Sequence, residues 1–225
     1  MKFLWNQYQS SLNFSPVAKE KWIDEFFFCL LGGYGVKYEL NKSAFLILKE
    51  KGYFNKENDW EDILGISQGI TNELLKKQFT LDYSKGKLRA YRFPYSKGDI
   101  IAKAGNWLKV MCNFHLDELF LKESNSKQNR LCLISCPGFG LKSASWLLRN
   151  IGMGNDLAIL DIHVYRTLQE LRLIPEEFFI PKNYLEIEDS YCNICRIINA
   201  KTEAMDLIIW TWARQGRHET SRYPL

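Results

Sequence analysis

Apolar residues fall along most of this chain in stretches of helical length, punctuated by glycine, proline and capping side chains. Ser15-Pro16 pairs a cap with proline at the first helical position and predicts a helix over 17–31, ended by Gly32-Gly33. Asn41 is placed to cap a second helix whose Ala44, Phe45 and Leu48 share one face, with Gly52 as its stop. Shorter helices are predicted over 59–64 and 67–77, then a loop over 82–95, where turn formers and basic residues crowd together. Further helices follow over 98–112, 116–122 and 127–135. After a glycine-rich turn come 142–151, stopped by Gly152 and Gly154, and 161–171. A stretch starting at Pro181 and a strong helix over 200–214 complete the pattern. Alternation of strand period is scarce, so the fold class is all-α, without internal repeats or low-complexity linkers.

Composition narrows the picture only a little. With 225 residues, 46% hydrophobic and 14% aromatic, the chain is a globular protein able to bury a core. A net charge of +4 is too small to announce a nucleic-acid partner. Lys127, Arg130, Lys142, Arg149, Arg166 and Arg172 gather around the glycine turn, and Arg214, Arg217 and Arg222 near the C-terminus. Solvated helix faces account for such clusters as well as an anionic partner does. Cysteines at 29, 112, 132, 136, 192 and 195 sit mainly in apolar runs, and Cys192-Asn-Ile-Cys195 lacks the second pair a zinc site needs. No apolar run has the length of a membrane span, and the N-terminal residues lack a signal-peptide pattern. The expectation is a reduced, cytoplasmic, nucleoid-associated protein with no membrane contact.

The chemistry is concentrated in Cys136-Pro137-Gly138-Phe139-Gly140-Leu141-Lys142 and in Leu157-Ala-Ile-Leu-Asp161-Ile-His163. Gly138 and Gly140 permit a tight turn and let an anion reach the main chain, where the free amides of the next helix point. Lys142 opens that helix. A lysine attacks carbon only as the neutral amine, and both burial and a helix N-terminus disfavour its ammonium form. Asp161 follows an apolar run and is a natural N-cap; a carboxylate fixed by amides can also stabilise positive charge developing on a substrate. Each residue has an ordinary structural reading, a first-turn surface lysine and a cap; their joint arrangement favours a site.

These motifs, together with Trp146-Leu-Leu-Arg149-Asn150-Ile-Gly152, Tyr184-Leu-Glu-Ile-Glu188 and Asp206-Leu-Ile-Ile-Trp210, resemble the helix-hairpin-helix DNA glycosylases. The resemblance is to the short bacterial and archaeal branch of 8-oxoguanine DNA glycosylase/AP lyases, strongest over 129–172; Phe93-Pro94 also fits that branch. It implies one fold over 1–225, made of two helical lobes with a DNA-binding cleft between them. One lobe would hold 1–95 plus the C-terminal helices, the other 96–172 with the hairpin at 127–151. It implies a base-excision repair enzyme whose Lys142 attacks C1′, forms a Schiff base and then nicks the strand by β-elimination, with Asp161 as its catalytic partner. The DNA contacts would be Gly138, Gly140, Arg149, Arg166 and Tyr34, and the base would stack on Trp210. Carbonyls of Ile134, Cys136 and Phe139 would hold a K⁺ or Na⁺ ion. No organic cofactor is implied. Two cysteines after the catalytic region are too few for an iron–sulfur cluster. The partner would be duplex DNA with a damaged base, bound by a monomer.

Several assignments stay open at the sequence level. Where related chains carry a Thr-Pro-Gln type turn, this one reads Gly32-Gly33-Tyr34-Gly35-Val36, so Tyr34 is either a wedge filling the vacated base position or a surface tyrosine. Trp210 is a stacking residue or part of the core. Arg166 contacts phosphate or is solvated, and His163 is structural or touches the DNA backbone. The same chemistry on another damaged or mismatched base, and a non-catalytic hairpin module that only binds DNA, are the alternatives.

Overall fold

Helix follows helix in the computed structural model, which describes residues 1–8, 15–33, 35–80, 86–120 and 124–214. The α-helices are α1 (Lys2–Tyr8), α2 (Trp22–Leu31), α3 (Tyr38–Glu50), α4 (Ile63–Leu75), α5 (Pro94–Cys112), α6 (Ser126–Ile134), α7 (Leu141–Asn150), α8 (Ile162–Glu170), α9 (Tyr184–Ile197) and α10 (Thr202–Arg214). Short 3₁₀ turns at Lys19–Lys21 and Leu116–Leu119 precede α2 and follow α5. A two-residue ladder, β1 (Phe79–Thr80) against β2 (Leu88–Arg89), is the strand content of the described residues. Among them no helix is long and apolar enough to cross a membrane.

Departures from the predicted boundaries have tertiary causes. The helix expected from Val17 begins at Trp22, because Val17 donates its amide to Asn150 O at 2.7 Å and accepts the Trp22 indole N–H at 3.0 Å. Asn41 does not cap α3; it lies inside the helix and is buried, donating to Phe28 O at 3.0 Å and accepting from Tyr91 Oη at 3.2 Å. The two helices expected over 59–64 and 67–77 are one, capped by Asp62, which accepts the Gly65 amide at 2.9 Å. The loop expected over 82–95 contains β2 and the start of α5. Helix α5 extends four residues N-terminal of Gly98, and α1 had no counterpart in the prediction.

The buried side chains form two clusters. The first gathers α2 to α7 around Phe26, Phe27, Trp60, Leu108 and Leu148; the second gathers α1, α8, α9 and α10 around Leu168, Ile187, Tyr191, Met205 and Ile209. Leu157 belongs to the first and Ala158 to the second. The expected division, 1–95 with the C-terminal helices against 96–172, is therefore not how these cores divide. The reason is α2, whose Phe26 packs on Phe139 of the hairpin at 4.9 Å between centroids and stacks with Trp107 of α5 at 6.4 Å.

Two glycines let α5 approach its neighbours closely. A Cβ on Gly98 would lie 2.1 Å from Thr71 Oγ1, and one on Gly105 would lie 1.9 Å from two ring carbons of the fully buried Trp60. A rigid ring packed on all sides cannot yield that distance. Gly105→Ala should therefore lower stability by about 3 kcal/mol, read as a shift of the urea midpoint at unchanged slope; a midpoint unmoved would show that Trp60 can relocate.

Candidate active site

The turn between α6 and α7 is built from two glycines with different duties. Gly138 has φ +92°, and a Cβ there would sit 2.3 Å from Ile100 Cγ2 and 3.1 Å from Leu30 Cδ2. Its glycine serves the fold. Gly140 is exposed at φ −113°, and a Cβ would meet nothing within 4 Å. The protein's own packing does not require glycine there, so the open space beside the main chain is what the residue provides. Phe139 points inward between them. Gly140 N–H donates to Ser143 Oγ at 3.0 Å, and the first-turn amides of α7 that follow have no carbonyl of their own helix to meet.

Lys142 sits in the first turn of α7, half-buried, with Nζ 5.9 Å from the centroid of Trp146 one turn on. Burial holds its pKa below the ordinary lysine value, while Asp161 and the buried Cys29 pull the other way. Asp161 caps α8: its Oδ1 accepts the amides of His163 at 2.8 Å and Val164 at 2.9 Å. Capping fixes the carboxylate and leaves it electrostatically coupled to the amine. The two predicted residues, on helices of different cores, thus interact electrostatically across the junction between them.

A second lysine completes this environment. Lys97, on α5, donates to Leu30 O and Gly32 O at 2.5 Å each, tying down the carbonyl end of α2. Burial, with Lys142 nearby, lowers its pKa to about 8. Tyr91 and Asn41 satisfy Leu31 O and Phe28 O of the same helix end at 2.6 and 3.0 Å. Nothing in the sequence marked Lys97, since its partners are backbone oxygens. Trp146 was also missed, although its spacing of four from Lys142 on a helix was a usable signal.

The other predicted residues divide. Arg149 is turned inward, its guanidinium paired with the buried Asp206 of α10 and its Nε donating to Asn150 Oδ1 at 3.1 Å, so it is not the outward phosphate contact expected. Burial pushes Asp206 up to about 6 against the opposing pull of Arg149. Arg166 is exposed on α8, and His163 is half-buried beside the Asp161 cap. Trp210 is half-buried on α10, 5.9 Å from Tyr38 at 70°; Tyr38 meets Phe28 at 5.9 Å and Phe28 meets Trp146 at 5.6 Å. An aromatic series thus leads from Trp210 to the ring beside Lys142. Tyr34 lies outside the described residues. Ile134, Cys136 and Phe139 share the hairpin turn, and Cys136 O accepts the Phe139 amide at 3.2 Å. Cys192 and Cys195 lie one turn apart on α9, and burial raises both thiols to about 12. Among the described residues no group of three or more His, Cys, Asp or Glu could hold a metal ion.

The two hairpin glycines should behave differently on substitution. Gly138→Ala should lose about 2 kcal/mol or more from left-handed strain and the Ile100 overlap, whereas Gly140→Ala should stay within about 0.5 kcal/mol of the parent. Thermal melts of both variants decide this; equal losses would contradict the division of duties.

The model of one protein family, described as 8-oxoguanine DNA glycosylase, matches residues 57–200. A curated relative, the 8-oxoguanine DNA glycosylase/AP lyase of Fusobacterium nucleatum, is 41% identical over 75 residues, covering 32% of this chain and 35% of its own. The sequence alignment thus spans about a third of that relative's length. The crystal structure of the Methanocaldococcus jannaschii 8-oxoguanine DNA glycosylase superposes with a TM-score of 0.64 at 25% identity, over 96% of this chain and 92% of that one. The M. jannaschii glycosylase/lyase in complex with a 15mer DNA containing 8-oxoguanine gives 0.61 at 24% identity, over 95% and 90%, a likeness of fold.

Proposed function

This chain belongs to the 8-oxoguanine DNA glycosylase family, and on that premise we propose that it excises 8-oxoguanine from duplex DNA and cleaves the resulting abasic site. The observation that carries the reading is a lysine amine kept below its ordinary pKa by burial, set beside an amide-fixed carboxylate and an open glycine turn. Duplex DNA approaches at Gly140, where a phosphate can lie against the main chain and the N-terminus of α7. Arg166, exposed on α8, adds a cation available to a backbone phosphate. The damaged base leaves the stack and enters the aromatic series, with Trp210 and Tyr38 at its far end.

Chemistry then follows from two groups. The neutral Lys142 amine attacks C1′ of the deoxyribose, the glycosidic bond breaks, and its electron pair leaves with the base, which takes up a proton. Asp161 stabilises the positive charge on the sugar as that bond lengthens. Loss of the amine proton and opening of the sugar ring give a Schiff base between Nζ and C1′. Removal of a C2′ proton then expels the 3′ phosphate by β-elimination, and hydrolysis frees the lysine. A K⁺ or Na⁺ ion suits the neutral carbonyls of Ile134, Cys136 and Phe139; Cys136 O keeps one lone pair after accepting the Phe139 amide. Such an ion would supply positive charge for a backbone phosphate at the turn. The protein would act as a monomer in the cytoplasm, on the nucleoid.

Borohydride reduces a Schiff base to a permanent bond, which gives the test. The parent chain should be captured on duplexes carrying 8-oxoguanine, and Lys142→Gln should abolish capture. Asp161→Asn should keep DNA affinity while base excision drops by roughly 10²–10³-fold. The excision rate should climb with pH and level off below the range of an ordinary lysine, because the neutral amine is the reactive form. Capture only on uracil, thymine glycol or abasic duplexes would move the substrate elsewhere, and binding without product would leave a DNA-binding module.

A further inference from the structure

Two ionised side chains lie deep in the molecule and take no part in the chemistry above. Arg130 of α6 is 3% exposed and Glu188 of α9 is 1% exposed, and Arg130 Nη1 donates to Glu188 Oε1 at 2.6 Å. Withdrawing both charges from water is costly, and apolar side chains of similar volume often fill such a position without loss of stability. Nor is the pair arranged to bind itself best. Arg130 Nε and Glu188 Oε2 are buried with no hydrogen-bond partner, so the two-pronged contact open to arginine and carboxylate is not made.

The reason for the single-pronged contact is visible on either side of it. Glu188 Oε1 also accepts the amide of Ala158 at 3.0 Å, in the buried run that leads to Asp161. Arg130 Nη1 also donates to the fully buried Ser145 Oγ at 3.1 Å, and Ser145 Oγ donates to Leu141 O at 2.8 Å. Leu141 O belongs to the peptide that joins Leu141 to Lys142. Hydrogen bonds therefore run unbroken from the main chain before Asp161, through Glu188, Arg130 and Ser145, to the main chain before Lys142. Its members come from both cores. Tyr184 secures the same run, accepting the Leu160 amide at 3.3 Å and donating to Ala158 O at 2.8 Å.

Resting on the glycosylase/lyase reading, we propose that Arg130, Glu188 and Ser145 are positioning residues that set the distance between the Lys142 amine and the Asp161 carboxylate. Excision needs both groups on one sugar ring at once. Condensation with the open-chain aldehyde of an existing abasic site needs the amine alone and tolerates more geometries. Disturbing the relay should therefore separate the two reactions.

The test uses the full chain with Ser145→Ala and with the double variant Arg130→Met/Glu188→Leu, which fills the space with apolar atoms. Single-turnover excision from an 8-oxoguanine duplex is compared with borohydride capture on a duplex carrying a preformed abasic site. The ratio of excision to capture should fall roughly tenfold or more in both variants. Partial unfolding lowers both reactions in proportion and leaves the ratio alone, so an unchanged ratio overturns the proposal. A parent chain that neither excises nor captures removes the functional reading and this proposal together. An active parent whose variants keep its ratio removes the proposal alone.

Discussion

An amine attacks carbon only after shedding its proton, so the proposed reaction requires the protein to make the ammonium form of Lys142 unfavourable near neutral pH. Two features act toward that end: burial is the larger, and the positive end of α7 adds to it. Asp161 and the buried Cys29 oppose them. A carboxylate free to swing onto the amine would restore the proton, whereas one anchored by the His163 and Val164 amides would stay available to the sugar in the proposed reaction. The site therefore depends on holding opposite charges near each other while denying them full contact.

Holding them so requires the two cores to be fixed relative to one another, because Lys142 belongs to one and Asp161 opens a helix of the other. The run between Leu157 and Asp161 is where this is done. Successive amides of Ala158, Ile159 and Leu160 donate to Glu188, Asp206 and Tyr184, at 3.0, 3.3 and 3.3 Å. Both carboxylates are paired with arginines of the hairpin helices, Arg130 and Arg149. Losing one member of a buried pair typically costs about 3–5 kcal/mol, since the other charge is left stranded. Such joints contribute definition of geometry more than net stability.

The carbonyl end of α2 shows the same economy of construction. Asn41, Tyr91 and Lys97 come from three separate segments and satisfy Phe28, Leu31, and both Leu30 and Gly32 oxygens. A helix end left bare beside the site would need water there. Instead the oxygens are met by side chains, and one of these, Lys97, is itself held below its ordinary pKa by burial and by the nearby Lys142.

Local chemistry was legible in the sequence. The helical class, the glycine turn, Lys142 in the first turn of a helix and Asp161 as a cap all depend on neighbours within a few residues, and sequence records such neighbours directly. Distance along the chain defeated the rest. Arg149 read as one of several basic residues because a sequence displays a charge without its partner, and Asp206 is far from it in the chain. Asn41 read as a cap because its burial between α2 and Tyr91 leaves no trace in its own neighbourhood. Lys97 carried no signal, since it binds main-chain oxygens that every residue possesses. Which glycine serves the fold and which leaves space for a ligand was decided by Ile100 and Leu30, brought against Gly138 only when α5 and α2 close around the hairpin.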